Sequence, residues 1–260
     1  MLFRRLPRWA IVLPVVLALA GLPGCGGGGP AASAGGGSKE VTVFAAASLT
    51  ETFTTLGRTF EAAHPGTTVR LNFGSSATLA QQIVQGAPAD VFASASPATM
   101  KTVTDAALAG SPTTFVRNKL QIAVPAGNPA KVGELKDLAD PQVKVALCAE
   151  QVPCGAAAVK ALGAAGVQVT PVTLEQDVKA TLTKVELGEV DAALVYRTDV
   201  MAAGDDVRGI SFPEADQAAN DYPIAVLAQA PAGDLARRFV DLVVSRQGRD
   251  TLTEAGFEVP

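Results

Sequence analysis

The chain has 260 residues, of which 48% are hydrophobic and 5% aromatic, enough for one large or two small domains. Its formal net charge is −4 at pH 7, and its lysines and arginines form no cluster with interleaved aromatic residues. A nucleic-acid partner is therefore not expected.

Residues 1–24 predict a secretory signal peptide. Three arginines lie within the first eight residues, and the apolar stretch from Trp9 to Leu22 is shorter than the roughly 20 residues of a bilayer-spanning helix. The sequence LPGC that follows is similar to a lipobox and ends at Cys25, which would become the lipidated first residue. An ordinary cleaved signal with an incidental Cys25 is the alternative.

Residues 25–38 predict a flexible tether. After Cys25 the segment consists of glycine, alanine and serine with one proline, a composition that cannot bury a core. Without residues 1–24 the chain keeps 18 basic and 25 acidic side chains, so the exported part is acidic. A signal, an acyl-ready cysteine and a tether are consistent with a domain held at a membrane surface.

From Lys39 onward, short apolar runs alternate with stretches of helical periodicity. We predict strands at Val41–Ala45, Thr68–Phe73, Asp90–Ala93, Leu120–Val124, Val143–Leu147, Val169–Val172, Ala192–Val195, Val207–Phe212 and Tyr222–Leu227. Apolar helix faces are predicted in the regions 49–60, 79–84, 153–165, 178–185 and 235–243, with helices also starting at Pro97 and near Gly248. Two groups of such units indicate an α/β fold with two lobes, each a mainly parallel sheet flanked by helices.

Two serines are predicted at strand-to-helix turns. Ser48 follows the first predicted strand and Ser76 follows the second. Such a turn offers unpaired backbone N–H groups, a hydroxyl donor and the positive end of a helix dipole, which together suit an anion. Each serine could instead be a simple helix N-cap.

The cysteines and the histidine bear on disulfide and metal sites. Cys148 and Cys154 lie six residues apart in a chain predicted to be exported, which favours a disulfide over two free thiols. The chain has one histidine, His64, which precedes a proline at a predicted helix end. A capping or surface role is expected for it, and a metal site is not.

Several motifs together resemble those of the periplasmic molybdate-binding proteins of ABC uptake systems. The likeness runs from about residue 40 to the C-terminus. The motifs are VFAAASLT from Val43, SSATLAQQI from Ser75, GAPADVFASA from Gly86, VPCG from Val152, QDV from Gln176 and LVY from Leu194.

This resemblance implies a type II periplasmic-binding-protein fold with a tetrahedral oxyanion, molybdate or tungstate, in the cleft between the lobes. It implies a hydroxyl and a backbone N–H from each of Ser48 and Ser76, backbone N–H groups from Cys154 and Val178, and the phenol hydroxyl of Tyr196. Lobe 1 is expected to comprise residues 39–119 and 222–260, and lobe 2 residues 120–221.

The resemblance also implies a binding protein without cofactor or enzymatic activity. We expect an exported monomer that is lipid-anchored on the extracytoplasmic side, in the periplasmic space, and that delivers its ligand to a membrane permease. A binding protein for sulfate or phosphate is the nearest alternative. A serine hydrolase is a more distant one, because the sequence has no Gly-x-Ser-x-Gly motif and His64 is its only candidate base.

Overall fold

The computed structural model describes residues 40–260. The predicted signal peptide, Cys25 and the tether lie outside the described residues. No helix within residues 40–260 is long and apolar enough to cross a membrane.

The described chain contains alternating strands and helices, including one strand (Thr113–Asn118) and one helix (Arg197–Ala203) that the sequence did not predict. The strands are β1 (Glu40–Ala46), β2 (Thr68–Gly74), β3 (Val91–Ala93), β4 (Thr113–Asn118), β5 (Leu120–Pro125), β6 (Val145–Cys148), β7 (Thr173–Glu175), β8 (Ala192–Tyr196), β9 (Val207–Ile210) and β10 (Asn220–Val226). The α-helices are α1 (Thr50–Ala63), α2 (Ser76–Val84), α3 (Pro97–Asp105), α4 (Pro153–Ala165), α5 (Val178–Glu186), α6 (Arg197–Ala203), α7 (Gly233–Val244) and α8 (Arg246–Glu254).

These strands form two five-stranded sheets. The first has the order β2-β1-β3-β10-β4 and the second the order β7-β6-β8-β5-β9. We use lobe 1 for the first sheet with α1, α2, α3, α7 and α8, and lobe 2 for the second sheet with α4, α5 and α6. The two-lobed fold expected from the sequence is thereby confirmed.

The sheets are mixed, whereas the sequence predicted mainly parallel ones. In lobe 1, β1 pairs in parallel with β2 and β3, but β10 runs antiparallel to β3 and β4. Lobe 2 repeats this arrangement, with β5 antiparallel to β8 and β9. The chain passes from one sheet to the other twice, from β4 through Lys119 into β5 and from β9 back to β10. The antiparallel strands are the ones next to these two crossings.

The core of lobe 1 is aromatic. The apolar face predicted for α1 is buried, and Phe53 and Phe60 of that face each pack edge-on against Phe239 of α7. The helix ends at His64, whose ring stacks on Phe60 and whose Nδ1 lies 2.9 Å from the Phe60 carbonyl oxygen. The predicted capping role of His64 is confirmed.

The core of lobe 2 is built mainly from alanine, valine and leucine. One predicted strand is misplaced there: Val169–Val172 is irregular, and the strand β7 begins one residue later at Thr173. The reason is its pairing with β6, which aligns Ala146 with Thr173 and leaves Val172 59% exposed.

Candidate anion-binding site

A small cavity lies between the two lobes and is bordered by all five residues that the sequence predicted for a site. Its volume is about 20 Å³, which corresponds to a sphere about 3 Å in radius once the radius of a water molecule is added. One compact ion fits such a space. The cavity is lined by Ala46, Ala47, Ser48, Gly74, Ser75, Ser76, Ala95, Val152, Pro153, Cys154, Asp177, Val178 and Tyr196.

Four helical segments begin at this cavity. Ser48 lies in a 3-10 turn, Ala47–Leu49, between β1 and α1, and Ser76 is the first residue of α2. On the other side, Cys154 lies in the first turn of α4 and Val178 is the first residue of α5. The first N–H groups of a helix have no partner within it, so the two lobes together direct unpaired donors and positive dipole ends toward one point.

The hydroxyl of Ser76 is held by the backbone as an acceptor. Its Oγ accepts a hydrogen bond of 2.9 Å from the N–H of Ala95. Since a backbone N–H only donates, the Ser76 proton remains available to a ligand.

The hydroxyls of Ser48 and Tyr196 each have a polar side-chain partner. Ser48 Oγ lies 2.9 Å from the hydroxyl of Tyr222, and Tyr196 Oη accepts a 2.7 Å hydrogen bond from Asn220 Nδ2. Burial raises the pKa of both tyrosines above their usual value, so both phenols keep their protons at neutral pH.

Ser75 is a cavity residue that the sequence analysis did not single out. It is the N-cap of α2, but its side chain makes no capping hydrogen bond. Its Oγ is buried and has no hydrogen-bond partner within residues 40–260, with the residue 7% exposed. A buried hydroxyl without a partner is unfavourable, and an anion in the cavity would supply an acceptor for it.

The cavity wall carries no lysine or arginine within the described residues. Its one acidic residue, Asp177, uses a carboxylate oxygen to cap α5 through the N–H of Ala180. Anion binding here would thus depend on neutral donors, which select by size and geometry, because a charged group taken out of water needs hydrogen bonds at each of its oxygens.

The predicted disulfide is present. Cys148 and Cys154 are joined, with their Cα atoms 5.8 Å apart, and the bond ties the end of β6 to the first turn of α4. Gly155 allows the same close approach, because a Cβ on it would lie 1.9 Å from the carbonyl oxygen of Ala149. The disulfide and the close packing at Gly155 together fix the position of the Cys154 N–H.

Contacts beside the cavity join the lobes. Ala47 of lobe 1 packs in the hydrophobic core of lobe 2. Lys179, next to Val178, places its Nζ 2.8 Å from Glu51 Oε1 on α1 and 3.2 Å from Asp199 Oδ1 on α6. These contacts hold the two lobes together beside the cavity.

Asp199 is fully buried in this cluster. Burial raises the pKa of Asp199 to about 6, and the nearby Lys179 ammonium opposes that shift. Although burial works against it, the carboxylates of Asp199 and Glu51 raise the pKa of Lys179, which is a cation at neutral pH.

The sequence analysis missed Ser75, Tyr222, Asn118, Asn220 and Asp199. Ser75 was visible in the second serine turn, beside Ser76. Asn118, Asn220 and Tyr222 are brought to the site by β4 and β10, and Asp199 by α6. No local motif marks these four residues. Within residues 40–260 no group of three or more His, Cys, Asp or Glu side chains is placed to hold a metal ion.

Comparison with known proteins places this geometry in a family. The chain matches the family of bacterial extracellular solute-binding proteins over residues 41–258. The molybdate-binding protein ModA of Mycobacterium tuberculosis is 43% identical over 248 residues, which cover 94% of this chain and 95% of that protein.

Two solved structures share the fold. The periplasmic molybdate-binding protein of Azotobacter vinelandii superposes with a TM-score of 0.74 at 20% identity, covering 85% of this chain and 99% of that one. The sulfate-binding protein SubI of M. tuberculosis superposes with a TM-score of 0.71 at 18% identity, covering 84% of this chain and 86% of that one. The chain belongs to the bacterial extracellular solute-binding protein family and is a relative of ModA, as its motifs predicted.

Proposed function

We propose that this protein binds molybdate in the interlobe cavity and delivers it to the membrane permease of an ABC transporter. The observation that carries the proposal is the convergence of neutral donors from both lobes on a space the size of one compact ion, in a chain 43% identical to a molybdate-binding protein over nearly its whole length. Tungstate has nearly the same size and charge, so we expect it to bind as well.

In this proposal each element has a defined task. Ser48 and Ser76 donate from lobe 1 through hydroxyl and backbone N–H groups. Cys154 and Val178 donate backbone N–H groups from lobe 2, and Tyr196 donates its phenol proton. No cofactor takes part.

Because the donors come from both lobes, the ligand favours their closed arrangement. A ligand that interacts more strongly with one conformation shifts the equilibrium toward it. The closed form would be the one that the permease recognises, and the protein would act as a monomer.

Export and anchoring complete the proposal. The signal peptide would direct the chain across the membrane, and acylation of Cys25 would hold it on the outer face through the tether. Cell fractionation tests this: the wild-type protein should remain with membranes and the Cys25→Ala variant should be released. A wild-type protein that is freely soluble after export would exclude the anchor.

Sulfate is the alternative with structural support, because SubI shares the fold and its name states that it binds sulfate. A comparison of melting temperatures separates the two ions. Molybdate at 100 times its dissociation constant should raise the stability by about 2.7 kcal/mol. A rise with sulfate and none with molybdate at millimolar concentration would reverse the assignment.

Hydrolase chemistry has little support in the structure. Ser48 lies just before the N-terminal end of α1 and His64 just after its other end, about 20 Å away by the rise of a helix of this length. The only histidine therefore cannot take the proton of Ser48.

A further inference from the structure

Lys179 connects the two lobes beside the anion cavity, which it does not line. It is the second residue of α5 in lobe 2. Its Nζ lies 2.8 Å from Oε1 of Glu51 in lobe 1 and 3.2 Å from Oδ1 of Asp199 in lobe 2. We call Lys179 and Glu51 the interlobe pair. A separation of the lobes breaks this pair, whereas the pair of Lys179 with Asp199 can persist within lobe 2.

The interlobe pair joins two of the segments that direct donors into the cavity. Glu51 lies in the first turn of α1, three residues after Ser48. Lys179 directly follows Val178, the first residue of α5. The starts of α1 and α5 are therefore held next to each other by opposite charges, each within about one helical turn of a proposed donor.

Asp199 connects a third donor segment to the same ammonium group. Its Oδ2 accepts a 3.2 Å hydrogen bond from the N–H of Tyr196 at the end of β8. Its Oδ1 is buried and has no hydrogen-bond partner within residues 40–260, so the Lys179 ammonium is the charge that offsets it. Lys179 thus has a partner in lobe 2 that holds its side chain in place for Glu51.

The net charge of this cluster does not favour an anion. One ammonium group lies between two carboxylates, so the three side chains together carry one excess negative charge when Asp199 is ionised. Such an excess repels an anion in the adjoining cavity. Any benefit of the cluster for anion binding therefore comes from the position that it gives to the two lobes.

We propose that Glu51 and Lys179 are positioning residues, whose interlobe pair stabilises the arrangement in which donors of both lobes face the anion. Without this pair, more of the binding free energy goes into bringing the lobes together. A contact that exists only in the binding-competent arrangement raises the population of that arrangement, and hence the apparent affinity. This inference rests on the proposed function.

The substitution Glu51→Gln tests the inference by the sign of its effect. It keeps the length and shape of the side chain and removes one negative charge beside the cavity. If charge alone mattered, molybdate would bind more tightly to the variant. We expect molybdate instead to bind about two- to fivefold more weakly, because the interlobe pair is lost. Calorimetric titration with molybdate measures the affinity.

Glu189→Gln is the matched control. Glu189 Oε2 lies 2.7 Å from Nζ of Lys184, and both residues belong to lobe 2. The lysine and glutamate side chains of this pair are 31% and 49% exposed, against 26% and 51% in the interlobe pair. Melting temperatures of the ligand-free variants show whether both fold, and only Glu51→Gln should weaken molybdate binding.

Lys179→Gln shows whether the effect of Glu51→Gln passes through the ammonium group. Because that group lowers the pKa of Asp199, its removal lets the buried carboxyl take up a proton rather than stay an unpaired charge. In the Lys179→Gln background, Glu51→Gln should no longer weaken molybdate binding. A merely structural effect of the change at Glu51 would persist there, so the comparison isolates the ion pair.

A molybdate affinity of Glu51→Gln equal to or above that of the wild type overturns the inference. So does an equal loss of affinity in Glu189→Gln, or a loss that persists in the Lys179→Gln background. Should Lys179→Gln fail to fold, the sign of the change in Glu51→Gln, measured against its control, still decides between the ion pair and charge alone. A wild-type protein that does not bind molybdate would instead refute the proposed function.

Discussion

The hydroxyl of Ser48 lies 2.9 Å from the hydroxyl of Tyr222, and both residues belong to lobe 1 although 174 positions separate them. Tyr222 does not line the cavity, so its effect on a ligand has to pass through residues that do, namely Ser48 and Tyr196, whose ring packs edge-on against that of Tyr222. Tyr196 does line the cavity and would touch the ligand directly. Removing the hydroxyl of each of the two tyrosines of the chain should therefore weaken ligand binding to different extents.

Tyr222→Phe should weaken molybdate binding roughly two- to tenfold, because it removes one buried hydrogen bond that orients Ser48. Tyr196→Phe should weaken it more, by roughly ten- to a hundredfold, because it removes a donor to a charged ligand. Calorimetric titration of both variants measures the difference. Equal losses would show that Tyr222 acts on the ligand by some other route.

Ser75→Ala should change stability and affinity in opposite directions. The substitution removes a buried hydroxyl that has no partner, so the ligand-free protein should gain about 1 kcal/mol in unfolding free energy. It also removes a donor from the cavity wall, so molybdate affinity should fall about tenfold.

Ser96→Ala is the matched control for Ser75. Ser96 is the N-cap of α3, and its Oγ accepts from the N–H of Thr99 at 3.3 Å. This variant should lose about 1 kcal/mol of stability and keep its affinity. A Ser75→Ala protein that behaves like Ser96→Ala would show that Ser75 is an ordinary cap.

Gly155→Ala should damage both the fold and the site. The added methyl group would collide with the carbonyl oxygen of Ala149, which forces α4 away from the end of β6 and displaces the Cys154 N–H. We expect a loss of about 1–3 kcal/mol in unfolding free energy, together with weaker molybdate binding.

Gly163→Ala in the same helix is the control, because a Cβ there meets no atom within 4 Å. That variant should be up to about 1 kcal/mol more stable, with unchanged affinity. Denaturant unfolding and titration of both proteins test the pair. Similar behaviour of the two variants would contradict the close packing at Gly155.

Asp199→Asn should flatten the pH dependence of stability between pH 4 and pH 7. The pKa of Asp199 is raised from 3.8 to about 6 in the folded protein, so the native state holds its proton more tightly than the unfolded chain. Its contribution to stability is complete below pH 3.8 and is lost as the pH rises through 6. The loss amounts to about 3 kcal/mol.

The unfolding free energy of Asp199→Asn, relative to that of the wild type, should therefore increase from pH 4 to pH 7. Asp205→Asn, at an exposed carboxylate, serves as the control for the loss of one charge. Parallel curves for the wild type and Asp199→Asn would show that burial of Asp199 does not shift its titration.

Local sequence patterns predicted the strands and helices that place Ser48 and Ser76 at the site. Ser48 and Ser76 follow apolar runs and precede periodic helices, so their place at strand-to-helix turns could be inferred without a structure. The spacing of Cys148 and Cys154 in an exported chain likewise predicted their bond. Each of these inferences depends on residues close together in the chain.

Features that depend on distant parts of the chain could not be predicted in this way. The strand β4 was missed because its short run is interrupted by polar residues, and its pairing with β10 depends on a crossing about 100 residues long. The hydrogen-bond partners of Ser48 and Tyr196, which are Tyr222 and Asn220, both lie on β10. The antiparallel pairs that make both sheets mixed also involve the strands next to these crossings. Local hydrophobic periodicity does not predict such pairs.

We expect one tetrahedral oxyanion to bind between the lobes through neutral donors. This binding is measured by calorimetric titration of the purified protein with molybdate, tungstate and sulfate, repeated with Ser76→Ala. One molybdate or tungstate should bind per chain, sulfate should bind more weakly, and Ser76→Ala should lose about 1.5–3 kcal/mol in molybdate binding. Tighter binding of sulfate than of molybdate, or an unchanged affinity in Ser76→Ala, would contradict it.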